Sequence, residues 1–231
     1  MSRVFIITGS RKGIGRQLAE YYLSKGDIVA GCSRGKSSIK NSNYMHFELD
    51  ISDEDMVINM VRAVKKQHGH IDILLNNAGI ASMNHILTTP YTSARKIFNT
   101  NFFGTFLFTR EVSKIMIKQK NGRIVNYSTV AVALKIAGES IYSASKAAIE
   151  NFTRISAKEL SAFGIRVNAV APTPILTDLI KGIQKDKIDE LISQQAIHRL
   201  AEFDDISNVV DFFINEKSDF ITGQVIYLGG V

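Results

Sequence analysis

The sequence predicts an α/β fold: one doubly wound domain whose seven-stranded parallel sheet carries helices on both faces. Three observations predict it. Apolar runs of strand length alternate with longer helical patterns seven times along the chain, the signature of a parallel sheet joined by helical crossovers. The segments rich in Gly, Asn and hydroxyl groups each lie just after an apolar run, where sheets of this kind bind ligands. No linker, repeat or composition shift divides the 231 residues, so a single domain over 1–231 is expected.

In order, Val4–Thr8 reads as a strand. Gly15–Lys25 reads as a helix with Leu18, Ala19, Tyr22 and Leu23 on one face. Ile28–Cys32 and Met45–Leu49 are the next strands. Asp53–His68 is a helix opened by Ser52 or Asp53 as N-cap, with acids in its first turn. Ile71–Asn76 reads as a buried strand, and a glycine-containing loop leads to a long helix from about Pro90 to Lys118. Strand Arg123–Tyr127, helix Tyr142–Phe163 and strand Ile165–Ala171 follow. A polar helical stretch, helix Asp204–Asn215 and strand Gln224–Leu228 close the chain.

Composition narrows the function. Apolar residues make up 45% and charged residues 22%, enough to fill a sizeable core. Cys32 is the only cysteine, which excludes an intrachain disulfide and cysteine-cluster zinc sites and fits a reducing cytoplasm. No histidine is placed to bind a metal. The run Val4–Ile7 is too short for a signal sequence and leads into a glycine loop. No stretch approaches the roughly 18 apolar residues of a membrane span. The net charge of +6 comes from scattered cations with no basic run among aromatics. It is read as a solvated surface plus an anionic cofactor, not as a nucleic-acid surface.

The first strand runs into Thr8-Gly9-Ser10-Arg11-Lys12-Gly13-Ile14-Gly15. Three glycines at a strand-to-helix turn let the backbone approach a pyrophosphate, and the following helix N-terminus faces the anion. Four further patterns follow in order: Asn76-Asn77-Ala78-Gly79, then Asn101 on the long helix, then Tyr142-Ser143-Ala144-Ser145-Lys146, then Asn168-Ala169-Val170-Ala171-Pro172. Ile221-Thr222-Gly223-Gln224 leads into the last strand. With these motifs the whole chain resembles the single-domain branch of the short-chain dehydrogenase/reductase family, and within it the 3-oxoacyl-acyl-carrier-protein reductase type. The resemblance implies a Rossmann-like fold.

The cofactor expectation rests on the end of the second strand. An acid there would hydrogen-bond the ribose hydroxyl of NAD and repel a 2′-phosphate. The chain has Cys32-Ser33-Arg34 instead, with Lys12 in the glycine loop. Arg34 can pair bidentately with a phosphate, Ser33 can donate a hydrogen bond and Lys12 adds a point charge, although both cations could be plain surface groups. NADP(H) is preferred over NAD(H). The resemblance further implies that Asp50 and Ile51 contact the adenine and that Asn77, Ala78 and Gly79 line the ribose side. It also places Pro172, Ile175 and Thr177 near the nicotinamide.

Tyr142 and Lys146 stand four apart at a helix start and so share a face. A phenol is a poor base at neutral pH, and a neighbouring ammonium is expected to lower its pKa. Tyr142 is therefore the expected general acid/base. The resemblance puts a serine thirteen residues before the tyrosine, a position held here by Thr129, with Ser128 beside it. Thr129 is favoured as the substrate-orienting hydroxyl. Adjacent strand residues point to opposite sides, so the two are not expected to serve together. Asn101 matches the family's asparagine better than Asn99 and would support a proton relay to Lys146.

Residues 173–199 are expected to form a substrate lid, with Lys181, Lys185 and Lys187 either meeting an acidic carrier protein or making a solvated helix face. Thr173 stands where the resemblance implies a glycine after the proline, so the local backbone is expected to differ. Ala81–Thr89 and Val130–Ser140 would finish the pocket, the second apolar through Val130, Val132, Leu134 and Ile136 with Lys135 as its lone charge. Phe98, Phe102, Phe103, Phe106 and Phe108 make the long helix apolar on several faces. That fits a subunit interface, and the resemblance implies a homotetramer or homodimer. The expected activity is hydride transfer between nicotinamide and a carbonyl or secondary alcohol, extending to 3-oxoacyl thioesters. The alternatives are a nicotinamide-binding sensor without chemistry and an epimerase or dehydratase on the same fold.

Overall fold

The computed structural model describes residues 2–175 and 185–231. Its first half runs β1 (Val4–Thr8), α1 (Gly13–Ser24), β2 (Ile28–Ser33), β3 (Tyr44–Glu48), α2 (Glu54–His68) and β4 (Ile73–Asn76). Then come α3 (Tyr91–Phe98), a π-helical turn (Asn99–Phe103), α4 (Gly104–Gln119), β5 (Gly122–Tyr127) and the short α5 (Ala131–Leu134). The chain continues through α6 (Ser140–Leu160), β6 (Ile165–Ala171), α7 (Lys185–Ser193), α8 (Phe203–Ile214) and β7 (Val225–Tyr227).

All seven strands join one parallel sheet in the order β3-β2-β1-β4-β5-β6-β7. Strand addition reverses direction between β1 and β4, which opens a crevice beyond their carboxyl ends. The fold is the Rossmann-like one expected.

Alternation along β1 shows why both faces need helices. Val4 and Ile6 pack with Val57, Met60 and Val61 of α2 and Phe108, Val112 and Met116 of α4. Phe5 and Ile7 face the other way, onto Leu18, Ala19 and Tyr22 of α1 and Val210 and Phe213 of α8. A strand apolar at every position is the mark of a strand buried on both sides.

Several boundaries differ from expectation for local reasons. β4 starts at Ile73 instead of Ile71, because the Ile71 backbone N–H and C=O are held by the Gln119 side chain at 3.0 and 2.8 Å. The long helix is not uniform. Its π-helical turn brings Asn101 inward, fully buried, and Gly104 lets it approach β3's exit, where a Cβ would lie 2.6 Å from Ile51 Cδ1. α1 begins two residues earlier than expected, and α6 begins at Ser140 and ends at Leu160, followed by a 3-10 turn over Ser161–Phe163. α5 has no periodic signal in four residues and stops at Lys135, whose φ of 54° is left-handed. No helix among the described residues is long and apolar enough to cross a membrane.

Candidate active site

Two adjoining cavities, of about 400 and 410 Å³, open beyond the carboxyl ends of the strands and share Ile14.

The first is built by the glycine loop. Gly9 has φ 74°, and the N–H groups of Gly9 and Ser10 donate to Cys32 O at 2.9 and 3.1 Å, closing the loop onto β2. Gly15 sits so close to it that a Cβ would lie 2.5 Å from Gly9 O. Its role is helix–strand contact, and it does not line the cavity. Nor does Ser10, although both belong to the phosphate-binding pattern. Ser10 is buried, and its hydroxyl shares a 2.9 Å hydrogen bond with Tyr44 Oη in space that a side chain at Gly31 would occupy. Gly9, Arg11, Lys12, Gly13 and Ile14 do line the cavity.

Ser33, Arg34, Asp50 and Ile51 form its far wall, and Leu49, Ile80 and Thr100 complete it. Sequence patterns did not single out these last three, although Leu49 stands immediately before Asp50. Arg34 is exposed, and Arg11 reaches the same corner, with its Nη1 3.3 Å from where a Gly35 Cβ would be. Burial raises and the Ser52 hydrogen bonds lower the Asp50 pKa, and with the charge of Arg34 the net direction is down. The Ser33 hydroxyl donates to Gly35 O at 2.7 Å, so the hydrogen expected to meet a phosphate is engaged within the protein here.

Asn77 Nδ2 donates to Thr8 O and Ala78 N–H to Thr8 Oγ1, both at 2.9 Å, pinning β4's exit to β1. Asn77, Ala78 and Gly79 line the cavity as expected. Gly79 has a second task. A Cβ there would lie 3.3 Å from both Asn101 Oδ1 and Lys146 Nζ, so its bareness leaves room for both side chains.

Asn101 grips Ile80 at both backbone atoms, accepting from its N–H at 2.8 Å and donating to its C=O at 3.0 Å. It also donates to Ser145 Oγ at 3.0 Å. Asn99 is exposed, so the structure brings Asn101, not Asn99, to the site. Lys146 is buried and donates to Tyr127 O at 2.7 Å. Burial pushes its pKa down to about 8.

Tyr142 and Thr129 line the second cavity, with the Thr129 hydroxyl near enough to act on the phenol. Ser128 turns elsewhere: its hydroxyl donates to Glu150 Oε1 at 2.6 Å, and Tyr227 Oη donates to the same atom at 2.6 Å. Both residues lie just beyond β5, and their hydroxyls turn to different partners. The Tyr142 phenol departs from expectation. Burial pushes it up to about 12, the Thr129 hydroxyl lowers it and the Glu139 charge raises it. Desolvation dominates the shift, and the Lys146 ammonium donates to Tyr127 O.

Pro172 and Ile175 line the second cavity, not the first. Thr173 is buried there with its Oγ1 unpartnered. Thr177 and Lys181 lie outside the described residues, as does residue range 176–184 of the expected lid. Lys185 and Lys187 fall on α7, which lends Ile188 and Leu191 to the cavity wall. Lys135 is on that wall, but it is not the lone charge expected from Val130–Ser140: Glu139 is there too. The acid stands at the end of the apolar run and at the start of α6, where a helix-start pattern before Tyr142 marks it. Among the described residues no group of three or more His, Cys, Asp and Glu could hold a metal ion.

A family model described as enoyl-(acyl carrier protein) reductase matches residues 9–230. The 3-oxoacyl-[acyl-carrier-protein] reductase FabG of Staphylococcus epidermidis is 32% identical over 100% of this chain and 98% of its own. A solved structure of ElxO with NADP bound superposes with a TM-score of 0.91 at 32% identity, covering 99% of this chain and 97% of that one. The aldohexose dehydrogenase of Thermoplasma acidophilum superposes with a TM-score of 0.90 at 29% identity, over 99% and 93% of the two chains.

Proposed function

This chain belongs to the short-chain dehydrogenase/reductase family, and from that premise we propose that it is an NADP(H)-dependent reductase of carbonyl compounds with Tyr142 as proton donor. The observation that carries the reading is the Thr129–Tyr142 hydroxyl pair on the wall of the second cavity, with buried Lys146 one helical turn from Tyr142.

The first cavity fits the cofactor. Its glycine loop presents backbone to a pyrophosphate, and Arg11, Lys12 and Arg34 offer cations where a ribose 2′-phosphate would sit, with no acid at the end of β2. The NADP seen with ElxO supports the same choice. When bound, this group supplies or accepts a hydride.

The protein's part is to hold the carbonyl and move a proton. Thr129 and Tyr142 donate hydrogen bonds to the carbonyl oxygen and stabilise the charge that develops there. Tyr142 gives its proton to that oxygen as the alcohol forms. A phenol pushed up to about 12 keeps that proton at neutral pH until an alkoxide, a stronger base, takes it. Lys146, brought down to about 8, is matched to return a proton near neutral pH, with Asn101 and Ser145 ordering the path beside it. In reverse the same groups oxidise a secondary alcohol.

The FabG relatives support 3-oxoacyl thioesters on a carrier protein as the substrate class, and the second cavity's apolar walls suit an acyl chain. An aromatic cluster of Phe102, Phe103, Phe106 and Phe152 joins the π-helical turn and α4 to α6, leaving Phe103 48% exposed. This surface supports a homotetramer or homodimer through these helices, whereas Phe108, expected to share it, belongs to the core. The reading also covers one domain over 1–231, a lid over 173–199, and a cytoplasmic enzyme whose single cysteine needs no oxidising partner.

The test is NADPH oxidation across 3-oxoacyl thioesters, simple ketones and sugars. Turnover in the wild type should fall at least about a hundredfold in Tyr142→Phe. Equal rates in the two proteins, or no turnover of any carbonyl while NADPH binds, would overturn the assignment.

A further inference from the structure

Glu139 is a carboxylate in the substrate cavity with no side-chain partner among the described residues. It stands immediately before α6, three residues from Tyr142, so the two fall on the same side of the helix start. It lines the cavity that holds Thr129 and Tyr142, and its charge acts on the phenol. The lining around it includes apolar Ala131, Leu134, Ile136 and Ala137, and the cavity's other charged groups are Lys135 and Glu190. Among the described residues its carboxyl has no hydrogen bond and no ion pair, and it does not cap α6. Lys135, the nearest cation in sequence on the same wall, is exposed and does not pair with it. Burial raises the Glu139 pKa with no compensating partner.

An acid held without a partner in partly dry surroundings carries an uncompensated desolvation cost. A structural acid of that kind is ordinarily paired. One that faces a binding cavity is completed by what enters the cavity. A ligand donor would recover the cost, and a ligand carboxylate would add repulsion to it.

We infer that Glu139 is a specificity-determining residue. It makes the cavity select carbonyl substrates bearing a hydrogen-bond donor within a few bonds of the reacting carbon, an ammonium above an amide N–H, and reject those bearing a carboxylate. This rests on the proposed function, because the Thr129–Tyr142 pair defines where the carbonyl lies.

Three ketones that share one CH3COCH2CH2 fragment test it: 4-(dimethylamino)butan-2-one, protonated at neutral pH, the neutral isostere 5-methylhexan-2-one, and 4-oxopentanoate. Two measurements are made on wild type and Glu139→Gln. One is kcat/KM for each ketone with NADPH. The other is calorimetric binding of each ketone to the NADP+ complex, where no turnover occurs. A hydrogen bond from a cation to a buried-side carboxylate corresponds to about tenfold or more in affinity. The wild type should therefore favour the ammonium over the carboxylate by at least about tenfold in both readouts, and Glu139→Gln should erase most of that ratio. An equal or reversed order in the wild type, or the same ratio in Glu139→Gln, overturns the inference. Binding in the expected order with no turnover of any ketone upholds the selectivity and overturns the reductase reading instead, so the two failures are distinct.

Discussion

Replacing Lys146 by methionine should abolish turnover and at the same time stabilise the folded protein near neutral pH. Lys146 is buried, with one hydrogen bond, to Tyr127 O. Its pKa falls from an ordinary 10.5 to about 8 because burial disfavours the charged form. At about 1.4 kcal/mol for each tenfold change in proton affinity, holding the ammonium in place costs about 3 kcal/mol at pH 7. The sign follows from proton counting. Between pH 8 and 10.5 the unfolded chain binds a proton at this site that the folded chain does not, so stability rises with pH across that window. It is lost progressively as pH falls from 10.5 to about 8, below which the full cost applies. Methionine keeps the length and packing of the stem but leaves Tyr127 O without its donor, at a cost of about 1 kcal/mol. The net gain at pH 7 is about 2 kcal/mol. Urea unfolding of both proteins at pH 7 and pH 9.5, with NADPH oxidation alongside, measures it. The gain should shrink by more than about 1 kcal/mol at the higher pH. A variant less stable than wild type at pH 7, or a difference that ignores pH, would refute the reasoning. A catalytic group held at the expense of stability is a common trade at active sites.

Arg34→Ala should weaken NADPH binding by about tenfold or more, the value of a charge-assisted hydrogen bond, while NADH binding changes little. Because Arg11 reaches the same corner, some preference should survive until both are replaced. Fluorescence titration with the two cofactors decides it, and equal losses for both would remove the phosphate role. Glu150→Ala should destabilise the fold by about 3 kcal/mol in urea unfolding, since it strands the Ser128 and Tyr227 hydroxyls that now share one oxygen. Glu150→Gln, which keeps an acceptor, should lose about half as much, and an alanine variant as stable as wild type would show the cluster to be idle.

Much was legible in the sequence where local rules decide. Strand-length apolar runs, helical periodicity, the glycine loop and the four-residue spacing of Tyr142 and Lys146 depend on backbone geometry that repeats within a few residues. Those features alone determined the sheet, the crevice and the pair at its mouth. The family resemblance, which puts a hydroxyl thirteen residues before the tyrosine, pointed to Thr129 with Ser128 beside it.

Only the tertiary structure decided the rest, because it depends on groups distant in the chain. Glu150 and Tyr227 claim Ser128 from a helix and from the last strand, which leaves Thr129 to Tyr142. The bare backbone of Gly31 on β2 admits Ser10 and turns it away from the cavity. Asn101 comes inward through a π-helical turn that no residue pattern announces. The proton affinities of Tyr142 and Lys146 moved in a way their spacing did not foretell for the tyrosine. Desolvation is a property of everything packed around a group, and a sequence lists neighbours only along the chain.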